Sequence, residues 1–134
     1  MKNIIIVIFI SITAIGFTQE KYKTADTFFE KMQYNEAAKE YEIALANGDI
    51  SKEILQKIGN AYYFNTNMPN ANKWYSKLIT EYGKEIDSEY FFRYAQSFEG
   101  IGKYKAARKW MKEFLKKSNI NSEKPVQKEK ALKN

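Results

Sequence analysis

Apolar residues recur along most of the chain at the three- and four-residue spacing of amphipathic helices, and short polar or glycine-containing stretches interrupt them. The pattern predicts six helices, at about 20–31, 35–46, 52–65, 69–82, 88–100 and 104–117. Boundary residues agree with these limits. Gly48 and Gly83 follow predicted helices, Pro69 falls in a first turn, and Ser51 and Ser88 can serve as N-caps. The chain is therefore predicted to be all-α.

The predicted helices form three pairs that repeat one another. Ala37, Ala71 and Ala107 align at spacings of 34 and 36 residues, and the neighbouring columns then align without further adjustment. In the first helix of each pair a small residue is followed three residues later by an aromatic one: Ala25, Gly59 and Ala95, then Phe28, Tyr62 and Phe98. Small side chains let two helices approach closely, so each pair is predicted to be a helical hairpin.

These columns match the signature of the tetratricopeptide repeat, and residues 55–78 are the copy nearest to it. Up to about Leu115 the chain resembles the N-terminal region of Bacteroidota OmpA-family envelope proteins, in phrases such as YYFNTNMPNANKWY and EYFFRYAQSFEGIGKY. The resemblance implies a right-handed superhelix of three repeats at about 18–50, 52–84 and 88–117. In that family a β-propeller, a β-sandwich and an OmpA-like domain follow. Both a free-standing repeat protein and a piece of a longer envelope protein fit this sequence.

The two ends of the chain differ from the repeats. Residues 1–18 combine one lysine, an apolar run and small residues, which predicts a secretory signal peptide cleaved before Gln19. An uncleaved anchor and a buried core helix are the alternatives. Residues 118–134 are rich in lysine, and we expect a disordered tail or a frayed helix there. By resemblance the mature protein is placed in the periplasm or on the periplasmic face of the outer membrane, with at most indirect membrane association.

Composition removes several classes of chemistry. The 134 residues include no Cys and no His, so thiol nucleophiles, His-assisted triads and ordinary zinc sites are excluded. Residues 19–115 hold 15 basic and 14 acidic residues, so the net charge of +6 comes mainly from the tail. That distribution argues against a nucleic-acid-binding face. The segment GIGKYK at 100–105 does not fit a phosphate-binding loop, because Ser97 stands where the motif's first glycine would be and Tyr104 where its Ser or Thr would be. Gly102 is instead predicted to be a left-handed turn residue. We expect no enzyme activity, cofactor, metal or small-molecule substrate.

The remaining function is protein binding. Repeat geometry assigns a set of largely aromatic and amide side chains to a concave groove lined by the first helix of each pair. The candidates are Tyr22, Phe29, Asn60, Tyr63, Phe64, Phe92 and Gln96. Packing between repeats is the alternative role for these rings. We expect a non-catalytic adaptor of the cell envelope that binds a partner segment, or else a structural part of an outer-membrane, peptidoglycan-linked OmpA-type complex of the secretion or gliding machinery. The oligomeric state is left open.

Overall fold

A computed structural model describes the backbone of residues 21–131 and the side chains of residues 21–119. Within that span every regular element is an α-helix, and the all-α prediction is confirmed. The helices are α1 (Lys23–Glu30), α2 (Tyr34–Ala46), α3 (Lys52–Phe64), α4 (Met68–Tyr82), α5 (Ser88–Gly100) and α6 (Tyr104–Ala131). The predicted signal peptide lies outside the described residues.

Helix boundaries follow the sequence signals with two exceptions. The Ile54 amide donates to Ser51 Oγ at 3.4 Å, and Pro69 lies in the first turn of α4, as predicted. Ser88 is not an N-cap: Asp87 holds the extended conformation of that position, and Ser88 is the first helical residue. The predicted end of the last helix at residue 117 is also wrong, since α6 continues to Ala131. Six of the 14 residues at 118–131 are Lys, Glu or Gln, which are good helix formers, and an extension of an existing helix needs no new nucleation.

Each helix packs mainly against its neighbours along the chain. The six helices form three consecutive pairs: α1 with α2, α3 with α4, and α5 with α6. The core runs through these contacts and consists largely of alanine, isoleucine and tyrosine side chains. Tyr41, Tyr75 and Leu78 from the second helices are buried, as are Leu55 and Ile58 from α3. The right-handed superhelix implied by the resemblance stays a prediction.

The same turn closes all three pairs. Met32, Thr66 and Gly102 have left-handed backbones with φ of 59°, 57° and 76°, at the 34- and 36-residue spacing of the sequence columns. The residue after each one donates its amide at 2.9 Å to the carbonyl of the column aromatic: Gln33 to Phe28, Asn67 to Tyr62 and Lys103 to Phe98. This pattern is a Schellman-type helix end. The predicted left-handed turn at Gly102 is confirmed, and the repeat extends to the backbone hydrogen bonds.

The small residues of the repeat columns lie between helices, with one exception. Five of the six are buried: Ala25, Gly59, Ala95, Ala37 and Ala71. Ala107 is only half-buried, because in the described part of the chain α6 has no following hairpin to cover it. The column aromatics Phe28, Tyr62 and Phe98 are partly buried against the core. Small size at these positions therefore serves helix packing.

Candidate binding groove

The first helices of the three pairs, α1, α3 and α5, share a face that we call the groove. Its clearest depression measures about 270 Å³ and lies between α1, α2 and α3. The lining residues are Asp26, Phe29, Glu30, Tyr41, Lys57 and Asn60. The face extends from α3 to α5 through two side-chain hydrogen bonds: Arg93 donates to Asn60, and Tyr63 donates to Gln96.

A hydrogen-bonded cluster joins the first pair of helices to the second. Asp26 Oδ1 on α1 accepts from the Tyr41 hydroxyl at 2.5 Å and from Lys57 Nζ at 2.8 Å. Tyr41 belongs to the second helix of the same pair, and Lys57 to the first helix of the next pair. One carboxylate therefore ties three helices together.

The same cluster recurs one repeat later. Asn60 Oδ1 on α3 accepts from the Tyr75 hydroxyl at 2.8 Å and from Arg93 Nη1 at 2.7 Å. Asn60 and Tyr75 each follow their first-repeat equivalents by 34 residues, and Arg93 follows Lys57 by 36. We call the two clusters the polar ladder. Because the same hydrogen bonds recur at the spacing of the repeat, they fix the orientation of each helix pair relative to the next.

The groups of the polar ladder have defined protonation states near neutral pH. Burial alone would lower the pKa of Arg93, but its pKa lies above the ordinary value, and near neutral pH the charged partner that raises it is the Glu89 carboxylate, so the guanidinium keeps its charge. Burial raises the pKa of Tyr41 and of Tyr75 above the ordinary tyrosine value, and Asp26 adds to the effect at Tyr41. Both hydroxyls therefore stay protonated near neutral pH and act as donors.

Beside the ladder lies a group of three rings, Phe29, Tyr34 and Phe64, which we call the aromatic platform. Phe29 and Tyr34 have ring centroids 5.1 Å apart, and Phe64 lies 5.8 Å from Phe29 and 5.6 Å from Tyr34. The Arg93 guanidinium carbon is 5.0 Å from the Phe64 centroid. Phe64 nevertheless remains 41% exposed, and it is one of the most exposed aromatic side chains of the described residues. Solvent therefore reaches a large apolar ring at the C-terminal end of α3.

The structure brings together five of the seven candidate residues. Phe29, Asn60, Tyr63, Phe64 and Gln96 all belong to the ladder, the platform or the Tyr63–Gln96 hydrogen bond that continues them.

The other two candidates lie elsewhere. Tyr22 is only 6% exposed and donates its hydroxyl to Asp49, so its assignment to the groove surface is wrong. The sequence alone does not show that Tyr22 is buried, because its partner Asp49 lies 27 residues away in the chain. Phe92 is half-buried and packs on Phe114 of α6, with centroids 5.3 Å apart.

Sequence reasoning missed the cations of the ladder. Lys57 and Arg93 were not candidates, although both lie at the same repeat position. The signal that could have found them is the recurrence of a cation 36 residues apart together with a recurring tyrosine at 41 and 75. Tyr34 was not a candidate either, because its contact with Phe64 depends on how neighbouring pairs stack.

Neither a scan against protein-family models nor a search of the curated proteins finds a match for this chain. Within residues 21–131, none of the helices has the length and hydrophobicity required to cross a membrane. The described residues also contain no group of three or more acidic, His or Cys side chains arranged to hold a metal ion.

Proposed function

We propose that this protein is a non-catalytic protein–protein interaction module whose groove binds a segment of a partner protein. The observation that carries the proposal is the aromatic platform, in which three rings cluster at the surface and Phe64 stays 41% exposed. Aromatic side chains supply much of the binding energy at protein interfaces, and exposed clusters of them mark contact surfaces.

The polar ladder supports this function by holding the groove in one shape. Asp26 and Asn60 each bond a tyrosine from their own pair and a cation from the next pair. A surface whose side chains are already fixed loses less conformational entropy when a partner binds. The platform therefore presents its rings in a prepared arrangement.

The place of action is proposed from the resemblance and from residues 1–18. A tetratricopeptide-type adaptor of this family would be exported and would act in the periplasm or at the periplasmic face of the outer membrane. Its partners would be envelope proteins, for example components of secretion or gliding machinery. Any contact with the membrane would be indirect.

The second candidate function is a structural or assembly role in an outer-membrane, peptidoglycan-linked OmpA-type complex. The observation in its favour is the length of α6, which has 28 residues against 13 in its partner helix α5. About half of α6 therefore extends beyond the hairpin, at 1.5 Å per residue, as a spacer helix would.

Partner capture from envelope extract by the mature protein and by Phe64→Ala separates the two functions. Phe64 is chosen over Tyr63 and Phe92 because its ring is the most exposed of the three, whereas Tyr63 bonds Gln96 and Phe92 packs on Phe114. The control is Ile43→Ala, which removes an apolar side chain of comparable exposure, 54%, from α2. An adaptor loses its partner with Phe64→Ala alone, at unchanged helicity. Equal capture by both variants would contradict groove binding and favour the structural role.

A further inference from the structure

We propose that the groove binds a basic segment of a partner protein, in which arginine or lysine side chains alternate with aromatic ones. The inference deepens the proposed function and rests on it, because it names the chemistry of the segment that the groove would bind. It is carried by the unequal exposure of acidic and basic groups on this face.

Carboxylates outnumber cations in the groove. Four carboxylates and two cations lie on this face, which leaves two negative charges: Asp26, Glu30, Glu53 and Glu89 against Lys57 and Arg93. Lys23 holds the repeat position of Lys57 on α1, and counting it as well still leaves one negative charge on this face. The local charge thus has the opposite sign to the chain as a whole, which carries +6.

Exposure increases this imbalance. The side chains of Glu53 and Glu89 are 62% and 63% exposed, whereas those of Lys57 and Arg93 are 27% and 15% exposed. Both cations contact the ladder, where Lys57 lies 2.8 Å from Asp26 and Arg93 lies 2.7 Å from Asn60. Each cation also pairs with the exposed glutamate of its own helix, at 3.8 Å for Lys57–Glu53 and 2.5 Å for Arg93–Glu89, and the glutamates form the outer, more exposed side of these pairs. An approaching ligand therefore meets carboxylates first, which favours a positively charged partner.

The aromatic platform selects for planar and apolar groups next to that charge. The protein's own Arg93 already lies 5.0 Å from Phe64 and 5.5 Å from Tyr63, so these rings accept a guanidinium. Tyr34 stacks on Phe64 at an interplanar angle of 28°, and Phe64 keeps 41% of its surface exposed. Arginine combines a permanent charge with a planar group that stacks on rings, and aromatic side chains pack edge-to-face on them.

The test measures binding of two short fluorescein-labelled peptides by fluorescence anisotropy. One alternates arginine with phenylalanine, and the other has glutamate in place of arginine. We expect the arginine peptide to bind at least about tenfold more tightly, and more weakly as salt is added, because the exposed carboxylates are screened. Equal or tighter binding of the glutamate peptide would overturn the proposal.

Two matched variants locate the effect. Glu53→Gln combined with Glu89→Gln should weaken binding of the arginine peptide by about fivefold to tenfold, in line with the loss of two partly exposed charges. Glu36→Gln combined with Glu81→Gln makes the same change in net charge at exposed positions of α2 and α4, and should leave the affinity unchanged. Equal effects of the two double variants would mean that the attraction is not local to the groove, and would overturn the inference.

Phe64→Ala separates failure of the inference from failure of the proposed function. If it abolishes binding of both peptides while the glutamine variants have no effect, the groove is the binding site and its preference for basic segments is wrong. If it changes neither affinity, groove binding itself is wrong. Sedimentation of the protein alone covers a further case: self-association that Phe64→Ala abolishes would make a second copy the occupant and contradict the basic segment.

Discussion

Gly59 in α3 lies directly against the ring of Tyr75 in α4. A Cβ added to Gly59 would be 2.7 Å from Tyr75 Cε1 and 2.8 Å from Cδ1. The ring has little room to retreat, because Tyr75 is fully buried and its hydroxyl is bonded to Asn60. The small residue therefore sets the separation of the two helices and also the position of one donor of the polar ladder.

The first prediction is that Gly59→Ala destabilises the protein. Alanine favours a helix over glycine by about 1 kcal/mol, but forcing the Tyr75 ring aside should cost about 1–3 kcal/mol or more, so the net free energy of unfolding should fall. Urea unfolding measures the change. The control is the same substitution in a Tyr75→Leu background, where the clash is relieved and the two changes should couple by about 1 kcal/mol or more. A stabilised Gly59→Ala variant would show that the close approach is not a packing constraint.

The second prediction concerns the left-handed turn residues. Thr66 has φ of 57° and an exposed side chain, and a β-branched residue in that conformation is strained. Thr66→Gly should therefore raise the free energy of unfolding by about 1 kcal/mol, whereas Gly102→Ala at φ of 76° should lower it by a similar amount. Thermal melts of both variants provide the comparison. Shifts of the same sign in both would be incompatible with a shared turn conformation.

The third prediction is that the amide oxygen of Asn60 stabilises the fold. Asn60→Ala leaves the buried Tyr75 hydroxyl without its acceptor and removes one partner of Arg93. An unsatisfied buried donor costs about 1–3 kcal/mol, and a loss of that size is expected in chemical denaturation. Asn60→Asp keeps the acceptor and should lose less. If the alanine variant were as stable as the parent, the ladder would have no role in holding the pairs together.

The fourth prediction is a loss of stability at alkaline pH. Burial, followed by the hydrogen bonds to Asp49 and Glu42, raises the pKa of Tyr22 and of Tyr62 to about 12, from an ordinary 10.0. The folded protein therefore holds these protons more tightly than the unfolded chain does. Their contribution is complete below about pH 10 and is lost as the pH rises towards 12.

Urea unfolding at about pH 8 and about pH 11 measures this effect. Tyr62→Phe removes one of the titrating groups, so the fall in unfolding free energy between the two pH values should be smaller in that variant. An identical fall in the parent and in Tyr62→Phe would show that the Tyr62 hydroxyl is not shifted by its contact with Glu42.

The sequence predicted those features that local spacing determines. The columns of Ala37 and Ala71 fixed the pairing of helices, because a small residue is needed wherever two helices meet closely. Gly102 could be assigned to a left-handed turn for the same local reason. Met32 and Thr66 could not, because neither residue type favours that conformation and the hairpin geometry imposes it.

Features that depend on tertiary contacts were not predictable. Tyr22 looked like a groove residue, but its contact with Asp49, 27 residues away, buries it. The ladder joins side chains 15 to 33 residues apart, and no single stretch of sequence contains it. Phe64 lies on a first helix, where the repeat pattern predicts it, whereas its contact with Tyr34 required the stacked structure.

The most direct test of groove binding is an NMR titration of the isotopically labelled protein with the arginine–phenylalanine peptide. Binding in the groove predicts that the largest amide shift changes cluster on α1, α3 and α5, at Phe29, Asn60, Phe64 and Arg93. Shift changes confined to exposed residues of α2, α4 and α6, such as Glu36, Glu81 and Lys109, would contradict it.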